Sequence, residues 1–253
     1  MAVDLETGTD FLPLMARIIA HKKVIARDVL KDVPPMATHA VSYLRQVLSF
    51  CVPQELALSA CPTLVVSDES INSFERFGIH GNYCVLHPGN SLVARNKPAL
   101  RSWPIKHWRT LIGLLSEYFP DLQVVLVGEP KEMSYVDSIA AASPRILNLC
   151  GHTSLPELME IISKANFLVS SDTGPSHLAA ALGTPVISLF GPTDPELTGP
   201  LSCKKDRITV LRTNLSCSPC INHPDFDTCR SARCMEYLNP NQVVNAASTI
   251  GRF

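Results

Sequence analysis

The feature that most constrains the fold is the stretch from residue 167 to residue 200, which reads FLVSSDTGPSHLAAALGTPVISLFGPTDPELTGP. It predicts a strand over residues 167–170, a polar turn, a short helix, and a second strand over residues 186–190. Pro175 falls at the predicted helix start, where proline is favoured because its missing N–H would have no partner in any case. The free N–H groups and partial positive charge of such a first turn attract anions. The stretch therefore predicts a strand-turn-helix unit that binds phosphate.

Strands and helices alternate in the residues before this unit. The predicted strands cover residues 83–87, 123–127 and 146–149, and the predicted helices cover residues 107–118, 131–142 and 154–165. This alternation predicts a parallel sheet with helices on both faces. Ligands of such sheets bind beyond the carboxyl ends of the strands. We therefore expect residues 87–91, 128–132 and 172–177 to converge on one crevice.

The region before residue 79 is less regular. Its pattern predicts helices over residues 11–20 and 40–50 and short strands over residues 24–26 and 61–66, followed by a linker over residues 67–81. It lacks an opening strand-helix unit of the kind that nucleates a parallel sheet. One more helix is predicted over residues 239–250, at the end of the chain.

Composition excludes several classes of protein. The formal net charge of −1 gives no reason to expect nucleic acid as a partner. The first ten residues, MAVDLETGTD, lack the basic and apolar segments of a signal peptide. The long uncharged run over residues 178–193 is too short and too interrupted by glycine and proline to span a bilayer. We expect a cytoplasmic protein whose nine cysteines are reduced or bound to metal rather than paired in disulfides.

Four of the cysteines are closely spaced in the segment CSPCINHPDFDTCRSARC, namely Cys217, Cys220, Cys229 and Cys234. Two close pairs of thiols in a cytoplasmic chain predict a structural zinc site, with His223 as a spare ligand. The alternative is a set of reduced, buried thiols. The other five cysteines are scattered and are most simply core residues.

Residues 172–195, DTGPSHLAAALGTPVISLFGPTDP, resemble the signature of glycosyltransferase family 9, the ADP-heptose:lipopolysaccharide heptosyltransferases. The resemblance implies an α/β fold of the GT-B type with two Rossmann-like domains. It divides the chain into a partial, acceptor-side domain (residues 1–78), a nucleotide-sugar domain (79–238) and a closing helix (239–253). Relatives begin with a strand, a glycine turn and a helix that have no counterpart here. We expect a truncated first domain; a naturally short relative is the alternative.

The implied reaction transfers heptose from ADP-heptose to the inner core of lipopolysaccharide, with inversion and without a cofactor. The implied partners are an ADP-sugar donor and a lipid-linked core acceptor, which is compatible with peripheral contact at the inner membrane. The catalytic base of relatives, an early aspartate, has no match, since Asp4, Glu6 and Asp10 stand in another context. We therefore expect donor binding with little transfer. The alternatives are a non-catalytic nucleotide-sugar-binding homologue or another GT-B sugar transferase.

The resemblance also assigns donor-binding residues. It places the diphosphate and sugar of the donor against Asn90, Ser91, Arg101, Asp172, Thr173, Gly174 and His177. Of these, Asp172 would bond a sugar hydroxyl, or orient the backbone and the cation at Arg101. Arg101 stands where relatives carry lysine, and Arg95 and Lys97 are rival cations. Glu132 matches the residue that accepts hydrogen bonds from the ribose hydroxyls, and Thr153 lies near the implied adenine pocket. Considered without the resemblance, Arg101 could be a surface arginine, and Glu132 a charge that stabilises a helix start.

Overall fold

The computed structural model describes residues 62–66, 73–89, 100–221 and 223–251, all of which lie in the compact unit Cys61–Phe253. The helices predicted at 11–20 and 40–50 and the strand predicted at 24–26 lie outside the described residues. So do Asn90, Ser91 and the rival cations Arg95 and Lys97.

The described residues form one parallel sheet of six strands. These are β1 (Tyr83–His87), β2 (Gln123–Leu126), β3 (Ile146–Asn148), β4 (Leu168–Ser171), β5 (Val186–Phe190) and β6 (Ile208–Arg212). Their order across the sheet is β3-β2-β1-β4-β5-β6, so the winding reverses between β1 and β4. Every residue of β1, β4 and β5 is buried, as expected for parallel strands covered on both faces. In such sheets the ligand crevice lies at this reversal.

Helices cover both faces of the sheet. They are α1 (Ser73–Phe77), α2 (Ile105–Tyr118), α3 (Met133–Ala140), α4 (Leu155–Lys164), α5 (Gly174–Leu182), α6 (Pro195–Thr198), α7 (Pro224–Thr228), α8 (Arg233–Glu236) and α9 (Pro240–Ile250). Short 3-10 turns cover Pro130–Glu132 and Lys205–Arg207. Helices α2, α3 and α9 pack on one face, and α1, α4 and α5 pack on the other. No helix among the described residues is long and apolar enough to span a bilayer.

The alternation of side chains along β1 builds both cores. Leu86 packs with Trp108 of α2 on one face, whereas Val85 packs with Ile161 of α4 on the other. All four side chains are fully buried. Each such side chain contributes about 1.5–3 kcal/mol through burial. The two cores therefore hold the carboxyl end of β1 in place from both sides.

Helix ends follow the predicted chemistry. Ser154 caps α4, and its side chain and that of Glu157 form the predicted capping box. Helix α5 ends at Leu182 and is followed by Gly183, whose φ of 71° lies in the left-handed region that favours glycine.

Three parts of the fold differ from the sequence predictions. The strand predicted over residues 61–66 is wrong for residues 62–66, which form no ladder; instead Leu64 N donates to the carbonyl of Ala181. The predicted linker contains α1, because Phe74 and Phe77 pack into a core and the N–H of Ser73 bonds Glu160. Strand β6 was not predicted, since it lies at the sheet edge and its residues are only partly buried. The other predicted strands and helices within the described residues are confirmed, with ends shifted by one or two residues.

The closing helix α9 is part of the main core. Val243, Val244 and Ala247 are buried against the same cluster as Trp108 of α2. The domain boundaries at residues 78/79 and 238/239 stay predictions.

Candidate functional site

Polar side chains from three chain segments meet beyond the carboxyl ends of β1 and β4. His87, the last residue of β1, lies with Nε2 3.5 Å from Oε2 of Glu132 and with Nδ1 3.1 Å from Oγ1 of Thr173. Ser170, on β4, places its Oγ 3.2 Å from the same Nδ1. The predicted convergence of these strand ends is therefore confirmed for the described residues.

Glu132 is the buried carboxylate of this cluster. Its side chain is 4% exposed, and its Oε2 accepts a 2.8 Å hydrogen bond from the backbone N–H of Glu129. Burial alone would raise the pKa of Glu132, but hydrogen bonds from His87 and from Glu129 outweigh it and hold the pKa below its ordinary value of 4.5. Glu132 is therefore ionised at neutral pH.

The carboxylate of Glu132 packs closely against Gly89, where no larger residue would fit. A Cβ built on Gly89 would lie 2.3 Å from both Cδ and Oε1 of Glu132, a distance that only glycine avoids. Gly128 is similarly close, with its ideal Cβ 2.9 Å from Oε2. The two glycines let the loops after β1 and β2 close around Glu132.

Arg101 and Asp172 form the second part of the site. Nη2 of Arg101 donates to the carbonyl oxygen of Asp172 at 2.6 Å and to Oδ2 at 3.0 Å. Oδ2 also accepts a 3.3 Å hydrogen bond from the hydroxyl of Thr198, in α6. The side chain of Asp172 is 8% exposed and that of Arg101 is 23% exposed. The paired carboxylate orients the guanidinium, and part of the cation stays accessible.

The turn before α5 joins the two parts. Thr173 is the N-cap of α5, and its carbonyl accepts a 2.7 Å hydrogen bond from the hydroxyl of Ser176. Its own Oγ1 does not cap the helix and instead lies 2.7 Å from Oγ of Ser170. Gly174 and His177 follow in the first turns of α5, and both are half-buried. The open N–H end of α5 thus lies beside Asp172, the partner of Arg101.

Thr153 lies at the edge of this arrangement. It is half-buried and directly precedes the cap of α4. An ideal Cβ on neighbouring Gly151 would lie 3.2 Å from Cα of Pro130, so the loops after β2 and β3 touch. Among the described residues, Thr153 makes no hydrogen bond to the cluster around Glu132. Its contact with adenine stays a prediction.

Sequence reasoning placed His87 and Gly89 in the crevice range 87–91 without giving either a role, and it gave none to Ser170 or Thr198. The available signal was weak: a histidine as the last residue of a buried strand, followed by proline and glycine. The two partners of Nδ1 of His87 are 83 and 86 residues away along the chain, which no local pattern reveals.

The four clustered cysteines are graded in exposure. Cys217 is exposed, Cys220 and Cys229 are half-buried, and Cys234 is buried. Burial raises the pKa of Cys234 to about 11. Among the described residues, no three His, Cys, Asp or Glu side chains are arranged to hold a metal ion. The geometry gives the zinc site no support, and the site stays a prediction.

The other described cysteines, Cys84, Cys150 and Cys203, form no disulfide, and neither do the four clustered ones. Cys84 and Cys150 are core residues as predicted, but Cys203 is exposed, because it lies in the open loop before β6. Cys51 and Cys61 lie outside the described residues.

The segment that carries the cysteines packs against the loop after β5. The N–H groups of Cys220 and Ile221 donate to the carbonyl of Pro192, and the hydroxyl of Ser218 donates to that of Gly191. This loop leads into α6, which supplies Thr198 to Asp172. The cysteine segment therefore supports the site indirectly, through the loop between β5 and α6.

Comparison with known proteins identifies the family. Residues 25–229 match the profile of glycosyltransferase family 9 (heptosyltransferase). The chain belongs to this family. The predicted resemblance to this family is thereby confirmed.

The family includes relatives with known names. The chain is 37% identical over 120 residues to lipooligosaccharide heptosyltransferase 2 of Haemophilus influenzae, a match that covers 46% of this chain and 33% of the relative. It is 35% identical over 120 residues to lipopolysaccharide heptosyltransferase 1 of Escherichia coli K12, a match that covers 45% of this chain and 37% of that relative. The matches span about a third of the length of these two relatives.

The solved structure of E. coli heptosyltransferase WaaC with ADP is similar in fold. It aligns with a TM-score of 0.54 and 26% identity over 92% of this chain and 60% of WaaC. This likeness confirms the α/β fold of the GT-B type.

Proposed function

We propose that this chain binds the ADP part of ADP-heptose at the carboxyl edge of its sheet, for transfer of heptose to the inner core of lipopolysaccharide. The observation that carries the proposal is the meeting of a buried carboxylate, Glu132, with the helix start and paired cation at Asp172 and Arg101. They lie at the reversal of strand order, where parallel sheets bind nucleotides.

The diphosphate binds at the start of α5. Backbone N–H groups of Thr173 and Gly174 face the anion, and the helix dipole adds partial positive charge. His177 adds a donor from the same helix. Arg101 supplies the full charge that offsets the departing ADP, and Asp172 orients it. Nε of Arg101 is buried without a hydrogen-bond partner in the described structure, so this guanidinium has a donor to spare.

The nucleoside binds beside Glu132. Among the described residues, the contacts that the Glu132 carboxylate makes with His87 and with the N–H of Glu129 both fall on Oε2, which leaves Oε1 as the acceptor for the ribose hydroxyls. An ionised carboxylate accepts two vicinal hydroxyls well. Adenine then extends toward Thr153. The loop residues Asn90 and Ser91 complete the phosphate contacts.

The relatives support this assignment. Those matched are named as lipopolysaccharide or lipooligosaccharide heptosyltransferases, and the WaaC structure holds ADP. The acceptor is accordingly a lipid-linked core sugar, reached from the cytoplasmic side by peripheral contact with the inner membrane. Inversion requires a base that takes the proton of the acceptor hydroxyl. None of the donor-binding residues has that role.

Titration calorimetry with ADP, UDP and GDP tests the donor. ADP should bind more tightly than the other two nucleotides. Equal or tighter binding of UDP would contradict the assignment of an ADP-sugar donor. Incubation with ADP-heptose and a lipid A–Kdo acceptor, followed by mass spectrometry, tests the transfer itself.

A further inference from the structure

His87 has a buried imidazole that none of the proposed donor contacts uses. Its side chain is 7% exposed and ends β1, the strand beside the reversal of the sheet. Nε2 faces Glu132, which we assign to the ribose, and Nδ1 faces Thr173, which we assign to the diphosphate. The ring therefore bridges the two halves of the donor site.

The hydrogen-bonding chemistry of this bridge is directional. A carboxylate only accepts hydrogen bonds, so Nε2 carries the proton that points at Glu132. On the other side, Nδ1, Oγ of Ser170 and Oγ1 of Thr173 form a triangle with sides of 3.2, 3.1 and 2.7 Å. Because hydroxyls both donate and accept, this triangle is satisfied whether or not Nδ1 is protonated. Buried polar groups with complete sets of partners hold fixed orientations.

We propose that His87 is a positioning residue that fixes the Glu132 carboxylate and the Thr173 turn relative to each other, so that ribose and diphosphate bind as one unit. The inference rests on the proposed function, because it takes the ligands of Glu132 and Thr173 from it. The ring itself is too buried to reach the acceptor. Its effect on the donor passes through its two neighbours.

Two substitutions separate the two sides of the ring. His87→Asn leaves an amide near the position of Nδ1 and removes the group that faces Glu132. His87→Gln leaves an amide near the position of Nε2 and removes the group that faces Thr173. Each variant is measured by calorimetry with ADP, 2′,3′-dideoxy-ADP and inorganic pyrophosphate. His80→Asn, at an exposed histidine, is the matched control.

The two variants should fail in different ways. With His87→Asn, ADP should bind about tenfold more weakly, the size of one hydrogen bond to a charged group. The affinities for dideoxy-ADP and pyrophosphate should change by less than about twofold, which is smaller than one such bond. With His87→Gln, pyrophosphate should bind about tenfold more weakly, while the preference for ADP over dideoxy-ADP should stay the same. His80→Asn should leave all three affinities unchanged.

Equal losses on all three probes would mean that His87 is merely structural, and no loss on any would mean that it has no role; either result overturns the proposal. If neither variant folds, Ser170→Ala carries the test, since it removes one partner of Nδ1. Ser170→Ala should weaken the binding of pyrophosphate and leave the preference for ADP over dideoxy-ADP unchanged. The reverse pattern, or no change in either, overturns the proposal. If the wild type prefers UDP, the donor assignment fails, and UDP with its dideoxy analogue tests His87 in the same way. A wild type that binds neither nucleotide nor pyrophosphate overturns both proposals.

Discussion

The carboxyl edge of the sheet and the cysteine segment, residues 217–234, are both rich in groups that can do chemistry, but only one of them is assembled. At the edge, His87 contacts partners 83 and 86 residues away, and both Glu132 and Asp172 are buried and paired. In the cysteine segment, the thiols range from exposed to buried and do not form a ligand set among the described residues. Residues on strand ends are placed by the core, whereas residues in a loop must be placed by their own contacts.

This difference has a consequence for mutations. A change at the edge removes one member of a buried, paired set, and its partner is left with an unmet polar group. A change at an exposed thiol of the cysteine segment, such as Cys217, alters a contact that water can replace. Effects on ligand binding should therefore be concentrated at the edge, and the cysteine segment should affect stability through the loop on which it packs.

The largest expected effect is that of Arg101→Ala on ADP binding. Loss of a charged hydrogen bond costs about 1.5–3 kcal/mol, so ADP should bind about 10- to 100-fold more weakly at low salt. The difference should shrink as salt is added, because the guanidinium is partly exposed and its attraction is screened. Calorimetry at two ionic strengths measures both effects.

Arg109→Ala is the control for this prediction. Arg109 donates to the carbonyl of Ser138 on the outer surface, and its removal should leave ADP affinity unchanged. His177→Ala should also weaken the binding of ADP. If neither Arg101→Ala nor His177→Ala changes the affinity, the donor does not bind at the start of α5.

The next effect concerns the packing of the cysteine segment on the loop after β5. A Cβ on Gly191 would lie 2.5 Å from Sδ of Met235 and 3.2 Å from Sγ of Cys234. Gly191→Ala should therefore lower the free energy of unfolding by about 1–3 kcal/mol, the usual cost of overpacking. Urea denaturation followed by circular dichroism measures it.

Gly113→Ala is the opposite case in the same chain. Gly113 lies on the exposed side of α2, and no atom comes within 4 Å of its ideal Cβ. Alanine there should stabilise the protein by about 0.5–1 kcal/mol, because it is the better helix former. If both substitutions change the free energy of unfolding in the same direction, the contact between Gly191 and Met235 is not tight.

Much of the fold could be predicted because periodicity is local. The boundaries of β1 and β5 follow from runs of apolar residues between turn formers, and the capping box at Ser154 lies within four residues of sequence. Strand β6 escaped prediction because it is an edge strand that is only partly buried, and α1 escaped it because the helix that it packs on, α4, is distant in sequence. Short elements with long-range partners have little signal of their own.

The site was predictable to a similar extent and for a related reason. One of the two roles expected for Asp172 was to orient Arg101, and the structure joins these residues by two hydrogen bonds. The bridge through His87 was not foreseen, since it depends on β1 and β4 lying side by side. A sequence shows which residues end strands, but the sheet order decides which of them meet.

A smaller effect tests the local part of this contrast, the cap of α4. Hydrogen bonds from the N–H and hydroxyl of Ser154 lower the pKa of Glu157 below its ordinary value of 4.5. A lowered pKa means that Glu157 stabilises the folded protein above pH 4.5 and that this contribution is lost as the pH falls through the lowered value. Glu157→Gln should cost about 0.3–1.5 kcal/mol at neutral pH, the usual range for a capping feature.

Melting curves of the wild type and of Glu157→Gln from pH 7 to pH 3 measure this. The two melting temperatures should approach each other in acid. Glu236→Gln is the control, because its ion pair with Lys106 is exposed and contributes little. A gap between wild type and Glu157→Gln that stays constant with pH would show that the carboxylate charge is not what stabilises the cap.

The smallest expected effect is that of Cys217→Ser, and it decides what kind of region the cysteine segment is. Cys217 is exposed, so a surface substitution should change the free energy of unfolding by less than about 0.5 kcal/mol and leave ADP affinity unaltered. A zinc site predicts the opposite, because four ligands share one ion and the loss of one releases it. In that case the purified wild type should contain about one zinc per chain, and a chelator should lower its melting temperature to that of Cys217→Ser. One zinc per chain, together with a loss of stability on chelation and in Cys217→Ser, would mean that a metal ion holds the cysteine segment in place, as the core does for the carboxyl edge.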